Sequence, residues 1–284
     1  LGAVLGDGFS GMYAPFIAMC APNGARKTRL DHPALPVAPA ELADCARSIL
    51  GAGAAMIHVH VRDDSGAHTL DAGRYRDAIA AIRAATGDDL VIQVTTEACG
   101  LYSPGQQMEV VRELKPEAVS VALGEICPGD DALEDAAAFY AWMHAEGVMA
   151  QHILYSPEDV MRFESLRADG VIPDERPFVL FVLGRYAGNL TGDVADLDGF
   201  VAAVADDTTW AVCCFGVTEQ AEIAASARSG GHARVGFENN RLLPDGSVAY
   251  DNAALVRLAV DAGRAAGRDP ATAAEVREMF GTAV

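Results

Sequence analysis

Met56-Ile57-His58-Val59-His60-Val61-Arg62-Asp63-Asp64 is a run of strand-forming residues that stops at a charged corner. Branched apolar side chains favour extended backbone, and the Arg-Asp-Asp corner marks where the strand gives way to a loop. Side chains alternate across a strand, so His58 and His60 share a face, about 6.6 Å apart at a rise of about 3.3 Å per residue. Two imidazoles at that spacing can close on one metal ion. The plainer reading is a pair of hydrogen-bonded core histidines, and a third ligand elsewhere in the chain decides between the two.

Outward from this strand the same pattern repeats. Short apolar runs alternate with longer, Ala-rich amphipathic segments, as βα units around a parallel sheet require. The candidate strands are Pro15 to Cys20, Ala55 to Val61, Leu90 to Thr95, Ala118 to Leu123, Val148 to Leu154, Pro177 to Leu183, Trp210 to Phe215 and Ala233 to Gly236. Between and after them lie candidate helices at Pro39 to Leu50, Ala72 to Ala85, Pro104 to Leu114, Asp131 to Ala145, Pro157 to Ala168, Leu197 to Ala205, Glu219 to Ser229 and Asn252 to Ala266. Several open at Pro, Asp or Asn, the residues that suit a helix N-terminus. Eight alternating pairs predict an α/β fold, a closed (β/α)8 TIM barrel, rather than an open doubly wound sheet.

The 284 residues suit one such barrel, and no composition shift, charge run or repeat suggests a boundary. The expectation is one domain over residues 1–284, with a short N-terminal extension and an extra C-terminal helix near Thr272 to Met279 packed outside the barrel. Gly51-Ala52-Gly53 follows a helix and precedes a strand, the reverse of a dinucleotide-binding context, so it reads as a helix cap.

With 21 Lys+Arg against 40 Asp+Glu the formal net charge is −19, which argues against nucleic acid or an anionic membrane surface as partner. The six cysteines (Cys20, Cys45, Cys99, Cys127, Cys213 and Cys214) form no C-x-x-C pair and sit mostly in apolar segments. They predict free thiols in a reducing, cytoplasmic compartment. No apolar run reaches about 18 residues, and Leu1 to Gly11 lacks the basic start of a signal peptide.

In a (β/α)8 barrel the site lies at the carboxyl ends of the strands, and alternate strands fill each interior layer. The eighth candidate strand delivers Glu238 to the same end as His58 and His60, and it shares layers with the second strand. Glu238 is therefore the natural third ligand, unless it is a surface carboxylate or a partner of Arg234. Two histidines and a carboxylate with an open position are typical of catalytic zinc.

Several phrases carry a resemblance: His32-Pro33-Ala34-Leu35-Pro36, Ile57 to Asp64, Phe181-Val182-Leu183-Gly184, Gly230-Gly231-His232-Ala233-Arg234-Val235-Gly236-Phe237-Glu238-Asn239-Asn240, and Ala271 to Glu278. In order from about Pro15 to Gly281, the chain resembles the β-keto acid cleavage enzymes. The resemblance implies a zinc-dependent barrel that converts a β-keto acid and acetyl-CoA into acetoacetate and a new acyl-CoA, in a homo-oligomer, expected to be a homotetramer. It places the metal ligands on His58, His60 and Glu238, the arginine that assists proton abstraction on Arg234, and the hydroxyls that hold the substrate on Thr95 and Ser120.

Two positions depart from the family pattern. Asn239 stands where the resemblance reserves an aspartate base, and an amide cannot accept a proton at neutral pH. Glu97 is the nearest candidate replacement, with Glu125 behind it. Arg26 falls where a family member acting on an amine has a glutamate, which predicts a neutral or dicarboxylic β-keto acid; a solvated loop or a CoA phosphate contact are the other readings of Arg26. Two rival functions stay open: an amidohydrolase-type metallohydrolase drawing on His152, and a metal-binding barrel without turnover, which Asn239 motivates.

Overall fold

Eight short parallel strands hydrogen-bond edge to edge until the last meets the first, closing a barrel. In the computed structural model, which describes residues 14–185 and 191–281, the strands are β1 Ala18–Cys20, β2 Met56–Val59, β3 Val91–Thr95, β4 Ala118–Ala122, β5 Met149–Leu154, β6 Phe178–Leu183, β7 Thr209–Cys214 and β8 His232–Val235. Each is followed by a helix: α1 Pro39–Gly51, α2 Ala72–Thr86, α3 Pro104–Leu114, α4 Leu133–Ala145, α5 Pro157–Ala168, α6 Val194–Ala203, α7 Glu219–Arg228 and α8 Asn252–Ala265. The alternation read from the sequence is the architecture. The expected N-terminal extension, residues 1–13, lies outside the described residues.

Strand alternation divides the core in two. Val59, Val94, Val121 and Phe181 face outward into the layer between barrel and helices. Met56, Val91, Ala118, Met149 and Phe178 face inward near the amino ends of their strands. This second cluster needs a cover against water, and the C-terminal helix α9, Ala273–Phe280, supplies it. Phe280 stacks on Phe178 at 4.5 Å, while Arg277 donates to Glu117 at 2.5 Å and to the Asp88 carbonyl at 2.6 Å. The helix expected to lie outside the barrel is therefore its floor, because the inward-facing apolar ends leave it a surface to cover.

Three boundaries differ from the expectation for identifiable reasons. β1 begins at Ala18 rather than Pro15, since Phe16 pairs outward with Pro270 instead. β2 ends at Val59 because the Asn23 amide takes over the ladder: it donates to the His60 carbonyl at 2.9 Å and accepts from the His60 N–H at 3.3 Å. Val61–Arg62 then pairs antiparallel with His68–Thr69 in a hairpin over the barrel mouth. A one-turn helix, Leu123–Ile126, follows β4 directly and was hidden in the sequence by the apolar run that continues from the strand.

The end of β8 is bent toward β1. Gly236 has φ +132°, and a Cβ there would lie 2.4 Å from the Ala21 carbonyl oxygen, which accepts the Glu238 N–H at 3.1 Å. Gly236→Ala combines a disallowed backbone angle with a backbone clash, so it should destabilise the fold by about 2 kcal/mol or more. Thermal unfolding checks this, and an unchanged Tm would contradict it.

Candidate active site and metal centre

The carboxyl ends of the strands enclose a cavity of about 390 Å3. His58 and His60 enter it from β2 and from the residue just past it, both fully buried, with their Nε2 atoms 3.0 Å apart. Glu238, three residues beyond β8, brings Oε2 to 3.2 Å from His60 Nε2 and 3.6 Å from His58 Nε2. Four atoms arranged tetrahedrally about an ion at roughly 2.0–2.2 Å lie roughly 3.3–3.6 Å from one another. The spacing of these three donors matches that requirement, and among the described residues they are the one His, Cys and carboxylate cluster of this kind.

The surrounding hydrogen bonds hold the donors in the form a cation needs. Gln93, paired with His58 in the β2–β3 register, donates its amide to Gln151 at 3.2 Å, which leaves its carbonyl oxygen to accept from His58 Nδ1 at 2.8 Å. The proton assigned by this network sits on Nδ1, and the Nε2 lone pair faces the cage. Burial, with Arg234 and His60 adding to it against Glu238, lowers the His58 pKa to about 3, so the ring is neutral at physiological pH. Burial alone would raise the Glu238 carboxyl, but Arg234 at 2.9 Å and the two imidazoles outweigh it and hold the carboxyl well below its usual range. Gly24 lets the β1 loop lie against this carboxylate side chain: at φ +62°, a Cβ there would be 2.7 Å from Glu238 Cγ.

Arg234 is buried in β8, donating from Nη2 to Glu238 and, at 3.5 Å, to Cys213 Sγ, while its Nε and Nη1 have no partner among the described residues. Ser120 Oγ and both polar atoms of the Asn239 side chain, at the cavity wall, are likewise buried without a partner among the described residues. Thr95 also lines the cavity, but its hydroxyl accepts the Glu97 N–H at 3.0 Å, which fixes the β3 loop. Glu97 places Oε1 2.7 Å from Arg26 and Oε2 4.0 Å from His60 Nδ1. Arg26 itself is 54% exposed at the mouth. Glu125 accepts from the Ala98 N–H and from Gln107, at 3.0 and 2.8 Å, and so braces the β3 loop from behind. His152 faces the helical layer, 2.9 Å from Asp174, and does not join the cavity.

Several residues escaped the sequence reading. Gln93 and Asn23 support the histidines, Lys27 donates to the Phe237 and Glu238 carbonyls at 2.7 Å each, and Arg185 lies at the cavity wall after β6. Gln93 was within reach of the pattern, since it lies two residues before Thr95 on the same strand face.

A family profile described as beta-keto acid cleavage enzyme matches residues 15–282. The chain belongs to this family. Similar curated proteins include the 3-keto-5-aminohexanoate cleavage enzymes of Fusobacterium nucleatum, 30% identical with 95% of this chain and 98% of that one covered, and of Acetoanaerobium sticklandii, 29% identical with 91% and 95% covered. The 3-oxoadipate:acetyl-CoA acetyltransferase of Cupriavidus necator is 26% identical, with 95% and 96% covered. Among solved structures, the complex of ObcA with oxaloacetate superposes with a TM-score of 0.72 at 16% identity, covering 89% of this chain and 68% of that one, which supports the barrel fold.

Two outcomes follow for the site. Gln93→Leu removes the partner that sets the His58 tautomer, and zinc affinity measured by chelator competition should fall about 10- to 100-fold; unchanged affinity would count against the cage. Burial pushes the Glu219 carboxyl, hydrogen-bonded to Asn240 at 3.1 Å, up to about 8. Its unfolded-state value is near 4.5, so the folded state holds the extra proton and stability falls as pH rises through the window between them. Glu219→Gln should flatten that decline, gaining on the parent by a few kcal/mol between pH 5 and 8 in denaturant titrations, pH values set by that window.

Proposed function

We propose that the chain condenses a β-keto acid with acetyl-CoA and releases acetoacetate and a new acyl-CoA. Supporting this reading are the family and the coincidence, at one cavity, of the His58–His60–Glu238 cage with unpartnered polar groups on Arg234, Ser120 and Asn239. A divalent ion held by the cage, zinc in this proposal, would supply Lewis-acid polarisation of the ketone and carboxylate oxygens.

The chain's own groups then have assigned parts. Ser120 and Thr95 orient the substrate carboxylate and ketone. Glu97 removes the proton from the carbon between them, and Arg234, with two unpartnered nitrogens at the wall, stabilises the negative charge that develops. The resulting carbon nucleophile attacks the acetyl thioester carbonyl; CoA passes to the original ketone carbon as the carbon–carbon bond there breaks, the retro-Claisen step. Asn239 serves this chemistry as a hydrogen-bond donor and acceptor, since its amide takes up no proton.

Arg26 at the mouth favours a neutral or dicarboxylic substrate over an amine, and the Cupriavidus necator relative is named for a dicarboxylic one. The orientation of His152 away from the cavity disfavours the metallohydrolase reading. Six free cysteines fit a reducing cytoplasmic setting, and no described helix is long and apolar enough to cross a membrane. A homotetramer, the state the resemblance implies, completes the proposal.

Acetoacetate release from a panel of β-keto acids, with and without acetyl-CoA, tests the reading. Turnover should require acetyl-CoA and be lost on chelation; a metal-loaded enzyme silent on every substrate would return the non-catalytic alternative. Glu97→Gln should lower kcat at least about a hundredfold with metal content intact, the scale of losing a general base.

A further inference from the structure

Arg62, two residues past His60, has no part in the chemistry assigned above, yet its guanidinium is buried and gathers three carbonyls of the loop after β1. It donates to the Gly24 and Ala25 carbonyls and, at 3.1 Å, to that of Lys27. Arg74 donates to the Arg62 carbonyl at 3.2 Å and to Asp64 at 2.7 Å, so the hairpin that carries Arg62 is itself tied to α2. These bonds decide where the amide hydrogens of the loop point. The described peptide bonds are trans, and across a trans peptide the C=O and the next N–H point in opposite directions. With the Gly24 and Ala25 carbonyls held on Arg62, the N–H groups of Ala25 and Arg26 point away from it. Gly24, Ala25 and Arg26 line the cavity and Arg62 does not, so that direction is the cavity side. Among the described residues neither N–H has an acceptor, whereas the Thr28 N–H, turned the same way by the Lys27 carbonyl, is taken by Asp31 at 2.8 Å. The Asn23 side chain, next to the turn, is committed to the His60 backbone and the Pro36 carbonyl.

We propose that the N–H groups of Ala25 and Arg26 are the oxyanion donors for the acetyl thioester, and that Arg62 is the residue that positions them. This inference rests on the proposed function, in which Arg234 and the cage serve the keto acid and the thioester oxygen has no receiver. When the carbon nucleophile bonds to the thioester carbonyl carbon, the C=O π pair moves onto oxygen. Collapse returns that pair to the C=O bond, and the C–S pair leaves with CoA as the thiolate.

Fixed amide dipoles aimed at an oxygen that gains charge stabilise it without reorganising at the moment of reaction. Successive N–H groups of a turn that includes a left-handed residue, here Gly24 at φ +62°, make a concavity suited to such an oxygen. The guanidinium behind the two carbonyls polarises both peptides and makes their N–H groups better donors. The turn also lies where the nucleophile forms, since the same glycine packs against the Glu238 side chain. Beside Glu238, Asn239 is buried with its amide nitrogen and oxygen unpartnered among the described residues, and it lines the same cavity, so a bound polar group is needed there too.

The test removes one N–H and leaves every side chain in place: lactic acid installed at Ala25 by nonsense suppression turns the Gly24–Ala25 amide into an ester. The matching hydroxy acid at Thr28 is the control, because it also weakens a carbonyl held by Arg62 but removes an N–H that serves Asp31. In the infrared spectrum of bound acetyl-CoA, isotope-labelled at the thioester carbonyl, the carbonyl band should lie below its frequency in water for the parent and the Thr28 ester. In the Ala25 ester it should return toward the value in water, and kcat of the metal-loaded enzyme should fall about 100-fold with a much smaller change in KM for acetyl-CoA, the scale of one lost oxyanion donor. Arg62→Gln should lose the band shift as well, and Arg62→Lys, which keeps the charge without the fork, should recover part of it. A parent that binds acetyl-CoA without a shift, an Ala25 ester that keeps the shift or the rate, or equal losses in the two esters would overturn the assignment. The spectrum is read on bound acetyl-CoA alone, which separates the donors from the reaction. A shift that depends on the Ala25 N–H in a protein without turnover would uphold the donors and refute the proposed reaction, and a protein that does not bind acetyl-CoA would refute both.

Discussion

Two imidazole nitrogens facing one another at 3.0 Å, both buried, set the terms for the rest of this barrel mouth. Lone pairs at that separation need a proton or a cation between them, and the Glu238 carboxylate at 3.2 Å makes a third donor that could hold a metal ion with them. Holding the three donors there demands support from several directions. Gln93 orients one ring, Asn23 ends the strand so that the other ring reaches the same point, and Arg234 grips the carboxylate. Gly24 and Gly236 are the spaces through which two loops approach closely enough for β8 to deliver Glu238 beside β2.

The barrel interior changes character along its axis. The floor is Met56, Val91, Met149 and Phe178, closed from below by α9; above it lies a polar storey of His58, Gln93, Gln151 and Arg234. The transition is abrupt because each strand turns only every second residue inward, so one step of two residues carries the lining from methionine to histidine on β2 and from valine to glutamine on β3. In a chain of net charge −19, the mouth nonetheless gathers Arg26, Lys27, Arg185 and Arg241. Burial lowers the Lys27 pKa to about 8 even with Glu238 nearby, and its amine is committed to two carbonyls of the β8 loop.

The fold was legible because apolar periodicity and helix-start residues report local structure, and eight repeats admit few closures. The three cage residues were legible for a related reason: strand alternation and layer sharing are geometric rules that act on sequence position. What stayed hidden depends on loops and on side-chain reach. Asn23 replaces a strand neighbour from 37 residues away, and nothing local marks it. Arg185 becomes informative only beside Glu97 and Phe215, which come from two other loops. The placement of α9 was missed because an amphipathic helix declares that it covers something, not what it covers.

The floor also has a temporal side. Residues 273–280 follow all eight strands, and the strands that complete the ring, β1 and β8, are joined across more than two hundred positions, as the pairing of Ala18 with Ala233 shows. During synthesis at about 5–20 residues per second the early βα units therefore emerge into water with Met56, Val91 and Phe178 uncovered on the inner face. Closure through β1 and β8 and cover of the floor by α9 are both long-range contacts, the kind that slows folding. A nascent chain halted before α9 would present an apolar opening to its surroundings, which is the surface that chaperones and neighbouring chains compete to cover.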